Sequence, residues 1–442
     1  MTRLDVHLEA HGLAGKLASD ESGALSFVYA PGYGGPALSL CLPVRAETFG
    51  DLACRVFFHN LLQEGWRLDQ VAARHRLDRS DTVGLLSHLG KECAGALSLV
   101  PEGAPPGKMP GNLDIDYAEI SPAQLARDVA DLFARRPPRQ STEFSLAGVQ
   151  SKMAVVALQD GRLLEAGNGA PTTHILKVGN AADEMLVENE LLLLKTAKRL
   201  GLSVVDCEMR RAGDIPYLLA PRFDRVIEGR SVRRLHQEDA CQAMGLPNFM
   251  KYEKDGDLAD PARIAGFANL FVLGRRTADP IGFNDAIIRL ALFNFLTGNA
   301  DAHAKNFALL HMGARPRLAP AYDLVCTALY PWTSQDYAMR IGGARTWNEV
   351  GRQQWLSFLE QAGARGKGRD RIIKQIFLAM AKDILAAIKV ELGLLGLGSS
   401  RAVLISDCVG ERLSHLNDTL GFDIPVDTDA FVVSGGGWRL SD

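Results

Sequence analysis

Thr297-Gly-Asn-Ala-Asp301-Ala-His303-Ala-Lys305-Asn306-Phe307 follows an apolar stretch, 284–297, that reads as a helix. The run sets an acid, an imidazole, an amine and an amide side by side. Its Asp-x-x-x-x-Asn spacing is that of a phosphoryl-transfer loop, in which the aspartate accepts or orients the acceptor hydroxyl proton and the asparagine offers an amide oxygen to Mg2+. Alone, the pair is also common turn chemistry, since Asp and Asn both favour loops. Magnesium takes hard oxygen ligands and shares them with phosphate oxygens, so a second carboxylate is required. Asp323, in Leu318-Ala-Pro-Ala-Tyr-Asp-Leu324, is the candidate. Tyr-Asp-Leu stands where ordinary protein kinases carry Asp-Phe-Gly, so their activation-loop switch is not expected.

Upstream, Thr173-His-Ile-Leu-Lys177-Val reads as a strand with a lysine in its middle. Such a lysine either snorkels from an edge or neutralises α- and β-phosphates, held by a glutamate of the next helix. That helix, 182–200, offers Glu184, Glu188 and Glu190. Residues two apart on a helix diverge, so one of Glu188 and Glu190 faces the lysine; Glu190 is favoured. Ser145-Leu-Ala-Gly-Val-Gln-Ser-Lys152 is a small-residue turn before a hairpin at 153–165, and it is neither Gly-x-Gly-x-x-Gly nor a P-loop. Pro221-Arg-Phe-Asp-Arg225 reads as a hinge between a strand-rich half and a helical half whose clearest helices are 284–297, 370–392 and 401–417.

Residues 3–9, 24–30, 37–43 and 95–100 read as short strands, and 47–64 and 66–75 as helices. A Pro- and Gly-rich connector, 101–111, closes this first unit. Ser121-Pro122 starts a helix, with serine as N-cap and proline in the first turn. The expected units are 1–110, 111–225 and 226–442.

The 442 residues suffice for several cores. With 47% hydrophobic and 23% charged residues the composition is that of a globular enzyme. A formal net charge of -3 argues against nucleic acid as the direct and sole ligand. Seven scattered cysteines without a Cys-x-x-Cys pair argue against a zinc site or a disulfide framework and fit a reducing compartment. The start of the chain lacks an apolar leader, and no run of about 18 apolar residues occurs, so a cytoplasmic protein without membrane attachment is expected.

Taken together, Leu38-Ser-Leu-Cys-Leu-Pro43, Phe57-Phe-His-Asn-Leu-Leu62, Ser145 to Lys152, Pro171 to Lys177, Glu188-Asn-Glu190, Arg222-Phe-Asp-Arg225, Arg234 to Asp239, Lys251-Tyr-Glu253, Asp301 to Phe307 and Tyr322-Asp323 resemble the HipA family of bacterial toxin kinases over nearly the whole chain. The resemblance implies an α+β, two-lobed protein-kinase-like fold. Its N-terminal lobe is strand-rich and includes a small N-terminal subdomain, and its C-terminal lobe is mainly helical. It implies transfer of the ATP γ-phosphoryl to Ser or Thr. Asp301 is then the base, with Lys177 and His303 as further catalytic residues. Asn306 and Asp323 are the magnesium ligands. Ala147, Gly148, Val149, Gln150, Ser151 and Lys152 cover the nucleotide. Lys177, Arg222, Phe223, Gln237, Tyr322 and Asp323 line its pocket, with adenine on the backbone around 221–223. Ser145 matches the family's autophosphorylation serine. An aminoacyl-tRNA synthetase is the implied substrate, and a HipB-like helix-turn-helix antitoxin dimer is the implied partner, bringing operator DNA. Ala302, where glycine is common, and Pro221, where an acidic residue is frequent, depart from the pattern. A small-molecule kinase and a catalytically weak co-repressor are the alternatives.

Overall fold

The computed structural model describes residues 2–136, 150–183, 185–254, 263–397 and 401–426. Ser145, Ala147, Gly148, Val149 and Glu184 therefore lie outside the described residues.

The N-terminal unit is an antiparallel four-stranded sheet in the order Leu25–Tyr29, Gly12–Ser19, Thr2–Leu8, Leu97–Pro101. Leu4, Val6 and Leu8 alternate inward onto the helices Asp51–Phe58, Gly65–His75 and Thr82–Leu89. The strand Gly12–Ser19 was not expected, because glycines dilute its alternation. Gly15 is needed there: a Cβ would lie 2.3 Å from the Val28 carbonyl oxygen. The strand expected at 37–43 is a loop with a single Ser39–Leu42 bridge. Leu38 and Leu42 are buried as a strand's would be. The segment's polar groups instead find Glu238, which accepts from Ser39 Oγ at 2.5 Å and from the Leu40 amide at 3.0 Å.

The second unit is an antiparallel six-stranded sheet in the order Glu208–Ala212, Ile215–Pro221, His174–Val178, Lys152–Ala157, Leu163–Ala166, Tyr117–Glu119. Helix Pro122–Phe133 packs Val129 and Leu132 against it. Ser121 Oγ accepts from the Gln124 amide at 3.2 Å, satisfying an otherwise unpaired donor of the first turn. Helix Leu186–Arg199 carries Val187, Leu191 and Leu194 into the core of the helical lobe.

In that lobe, helix Pro280–Thr297 begins four residues before the expected start because Asp279 caps the Gly282 amide and Pro280 suits the first position. Gly298 closes the helix at φ 68°, the left-handed turn that a Cβ disfavours. The helix expected at 370–392 runs from 367 to 394, with a π-helical turn at Ile373–Phe377. The last helix is Leu404–Leu420. A small sheet of Gln237–Asp239, Ala308–Leu310 and Arg317–Leu318 flanks the run 297–307. Among the described residues no helix is long and apolar enough to cross a membrane.

The segment 221–225, read as a hinge between the halves, is tied to the N-terminal unit by buried ion pairs. Arg222, Arg225 and Arg234 and the carboxylates of Glu9, Glu92 and Asp224 are all buried. Glu92 bonds Arg222 at 2.9 Å and Arg225 and Arg234 at 3.0 Å, Arg222 bonds Asp224 at 3.0 Å, and Arg234 meets Glu9 at 3.3 Å. The charges balance, and the N-terminal unit supplies Glu9 and Glu92. Hydrogen-bonded pairing of this kind keeps buried ions tolerable. Burial opposes the Asp224 charge, but Arg222 and Arg225 outweigh it and hold the carboxyl down to about 2. Its folded pKa is depressed, so its stabilisation is present above pH about 4 and lost as pH falls toward 2. Asp224→Asn is expected to lower unfolding free energy by about 2 kcal/mol at pH 7. The gap from wild type should close between pH 4 and pH 2 in urea titrations; a pH-independent gap would refute this linkage.

Candidate active site

A cavity of about 540 Å³ opens between the lobes. Strand His174–Val178 places Lys177 in it, antiparallel to Leu218 of the neighbouring strand and to Lys152 on the other side. Lys177 Nζ donates to Glu190 Oε1 at 2.7 Å and to Asp323 Oδ1. Of Glu188 and Glu190 it is the favoured Glu190 that turns inward, with 1% of its surface exposed. Burial opposes the charge on Lys177, but Asp323 and Glu190 overcome it and hold the ammonium above the ordinary lysine range. Burial likewise opposes the Asp323 charge, and Lys177 and Lys152 pull that carboxyl down to about 2. Asp323 stands at φ 55°, a left-handed conformation that Asp and Asn tolerate better than most residues. That backbone turn aims its carboxylate across the lobe gap.

Lys152 is buried on the same wall. Desolvation, with Lys177 adding repulsion against the pull of Asp323, lowers its pKa to about 7. A lysine so placed gains its charge fully once an anion comes beside it.

The run 297–307 is held from several sides. Asn299 Nδ2 bonds Asn294 Oδ1 at 3.0 Å, the Ala300 amide donates to Thr327 Oγ1 at 2.8 Å, and the His303 amide returns to the Asp301 carbonyl at 2.7 Å. Asp301 projects into the open cavity. The protein around it, with Asp323 adding repulsion, raises its pKa despite Lys251 and a hydrogen bond from Tyr252. A raised carboxyl is a better proton acceptor than an ordinary one. Asn306 Nδ2 donates to the Asp301 carbonyl at 3.1 Å, which leaves its amide oxygen for another partner. Asn306 and Asp323 line one cavity; together they give one amide and one carboxylate oxygen donor, the sparse set Mg2+ takes when phosphates complete its shell. Among the described residues no group of three or more His, Cys, Asp or Glu side chains is placed to hold a metal.

His303 is buried, and desolvation with Lys251 nearby pushes its pKa down to about 3. Its ring is set edge-on to Tyr252 at 5.3 Å. Phe223 and Tyr322 lie with ring centroids 5.6 Å apart, and the Tyr322 hydroxyl donates to the Lys305 carbonyl at 2.7 Å. Gln237, paired with Leu310, lines the same end of the cavity. Arg222 reaches the cavity wall, but its guanidinium is spent on Glu92 and Asp224, so only its backbone side is available to a ligand. Ser151 and Lys152 close the cavity from above, and Gln150 borders it.

Several cavity residues escaped the sequence reading. Asn60 and Glu64 come from the N-terminal unit. Lys305 Nζ bonds Asn60 Oδ1 at 2.8 Å and Asp239 Oδ2 at 2.7 Å. Arg67 Nη1 donates to the Lys152 carbonyl at 2.8 Å. Lys251 was visible only as part of Lys251-Tyr-Glu253. Asn60 was likewise visible only within Phe57-Phe-His-Asn-Leu-Leu62, and no local pattern announces Glu64 or Arg67, because their partners are 85 to 187 residues away.

Comparison with known proteins gives a consistent picture. A model of the HipA N-terminal domain matches residues 4–100, and one of the HipA-like C-terminal domain matches residues 144–388. The chain is 36% identical to a Sinorhizobium fredii protein named "Putative kinase Y4mE" over 363 residues, 79% of this chain and 84% of the relative. It is 29% identical to the serine/threonine-protein kinase toxin HipA of Shewanella oneidensis over 343 residues, 75% of this chain and 77% of the relative. A solved complex of a Shewanella oneidensis toxin–antitoxin system, HipA, HipB and its operator DNA, contains a chain that superposes with a TM-score of 0.80 at 27% identity, covering 97% of this chain and 99% of that one.

Proposed function

Since this chain belongs to the HipA family and carries both its N- and C-terminal domains, we propose that it is the toxin of a toxin–antitoxin pair, a kinase that transfers the γ-phosphoryl group of ATP to a protein serine or threonine. The observation that carries this reading is the facing of Lys177, Glu190 and Asp323 against Asp301 and Asn306 across one cavity. The α+β, two-lobed kinase-like fold fits it.

Lys177 binds the α- and β-phosphates once ATP enters and draws Asp323 away from direct pairing. Lys152 adds a second positive charge on the same wall. Asn306 and Asp323 would hold Mg2+, which would supply charge neutralisation on the phosphate oxygens. Adenine lies at the Phe223, Gln237 and Tyr322 end, against backbone of 221–223. Asp301 takes the proton of the acceptor hydroxyl as its oxygen bonds to the γ-phosphorus, and the bond to the β-phosphate oxygen breaks to release ADP. The work is positioning and charge compensation, as phosphoryl transfer demands.

The acceptor we propose is an aminoacyl-tRNA synthetase, whose phosphorylation would slow translation. The partner is a HipB-like helix-turn-helix dimer that brings operator DNA, consistent with the solved relative's composition and with the chain's net charge of -3. Ser145, outside the described residues, is the proposed autophosphorylation site: nearly two negative charges there would oppose polyphosphate binding. Incubation of the purified chain with γ-labelled ATP, Mg2+ and cell lysate should label a synthetase-sized band and the chain itself. No label in either, with antitoxin and operator still bound, would sink the kinase reading.

A further inference from the structure

The catalytic run lacks a free cation on its acceptor side. Its one lysine, Lys305, reaches the cavity wall but is bonded to Asn60 and Asp239, and burial holds the pKa of His303 low. The cation beside Asp301 comes from elsewhere. Lys251 is buried, lines the cavity with Asp301, and is strapped to the run by its own carbonyl, which accepts from the Ala304 amide at 3.2 Å. Its Nζ bonds Glu64 Oε2 at 2.7 Å, and Glu64 Oε1 lies 3.8 Å from Lys305 Nζ. Glu64 belongs to the N-terminal unit, 187 residues earlier in the chain. A lone interdomain ion pair would not need to sit in the wall of the cavity that Asp301 lines.

Resting on the kinase reading, we propose that Lys251 is a further catalytic residue, contacting the transferring γ-phosphoryl group from the Asp301 side. Glu64 is its positioning residue, so the N-terminal unit completes the active site. The transition state spreads negative charge over the γ-oxygens, and preorganised donors there act on turnover more than on ground-state binding. Lys177 serves the opposite end, where Glu190 and Asp323 hold it.

An acyl phosphate of ATP tests the placement without any turnover. A lysine near the γ-phosphate attacks the acyl carbon, an N–C amide bond forms, the C–O bond to the phosphate breaks, ATP leaves with the electron pair, and the amine proton passes to solvent. Peptide mass spectrometry of the full chain should find Lys251 acylated, with protection by excess ATP. ATP-protected acylation of Lys177 or Lys152 without Lys251 overturns this inference and leaves the kinase reading standing. Absence of any protected acylation overturns both. In turnover, Lys251→Met is expected to lower kcat about 100-fold with ATP affinity within threefold, and Lys251→Arg should recover at least tenfold of that. Glu64→Gln should lower kcat about tenfold and add nothing in the Lys251→Met background. Multiplying penalties, or losses that track thermal stability instead of kcat, would show a merely structural pair.

Discussion

Asp301→Asn is expected to lower phosphoryl transfer by about 10³-fold or more, within the range a positioned general base supplies, while ATP affinity changes less than threefold. The asparagine keeps the shape of the side chain but cannot take a proton. Asp301 holds no metal in the proposed arrangement, so nucleotide binding should persist. Stability should move the other way. The surrounding protein raises the Asp301 pKa, with desolvation the largest cause and Asp323 adding to it. A carboxyl whose folded pKa is raised destabilises the fold once it ionises, so removing the charge should leave the melting temperature at pH 7 equal or higher. Labelled-ATP turnover beside thermal unfolding checks both halves. Near-wild-type labelling would remove Asp301 from its role, and a large fall in melting temperature would show that the loss came from misfolding.

Asp323→Asn should also abolish turnover, by a different route. It removes the carboxylate proposed for Mg2+ and one of the two acidic partners of Lys177. The expected loss is at least about 10²-fold in kcat, the scale on which removed transition-state charge stabilisation is felt. The rise in melting temperature produced by ATP with Mg2+ should vanish as well. Asparagine is the suitable replacement because position 323 has a positive φ of 55°, which asparagine adopts at little cost; alanine would add backbone strain. The depressed pKa of Asp323, about 2, means its pairing stabilises the fold above pH about 4 and is lost as pH falls toward 2. The ligand-free variant should therefore melt slightly below wild type at pH 7 and converge with it in acid. A preserved Mg2+-dependent shift would place the metal elsewhere.

Much of this site is legible along the chain because its parts are local. Asp301 and Asn306 share one turn. Helix Leu186–Arg199 follows the Lys177 strand closely, so Glu190 returns to Lys177 only 13 residues on. The cap at Ser121-Pro122 and the hairpin around Gly161 are turn chemistry written in consecutive residues. The misreadings share one cause. Leu38 and Leu42 have the alternation of a strand and are buried like one, yet the backbone between them meets Glu238, 198 residues away. Nor does the segment read as a hinge reveal that Arg222 and Arg225 pair in the interior with the N-terminal Glu92.

By itself, then, the sequence determined many of the secondary elements, the order of lysine, glutamate, aspartate and asparagine, and the family to which they belong, because helix caps, strand alternation and loop spacing act over a few residues. Only the tertiary structure decided which charges stay free to meet a substrate. Lys305 and Arg222 are neutralised, Lys177 is held between two acids, and Lys251, in the same cavity as Asp301, is paired with Glu64. The reason is physical: the state and aim of a buried charge depend on whichever counter-charge the fold sets within a few ångströms, and here that partner is often more than a hundred residues away.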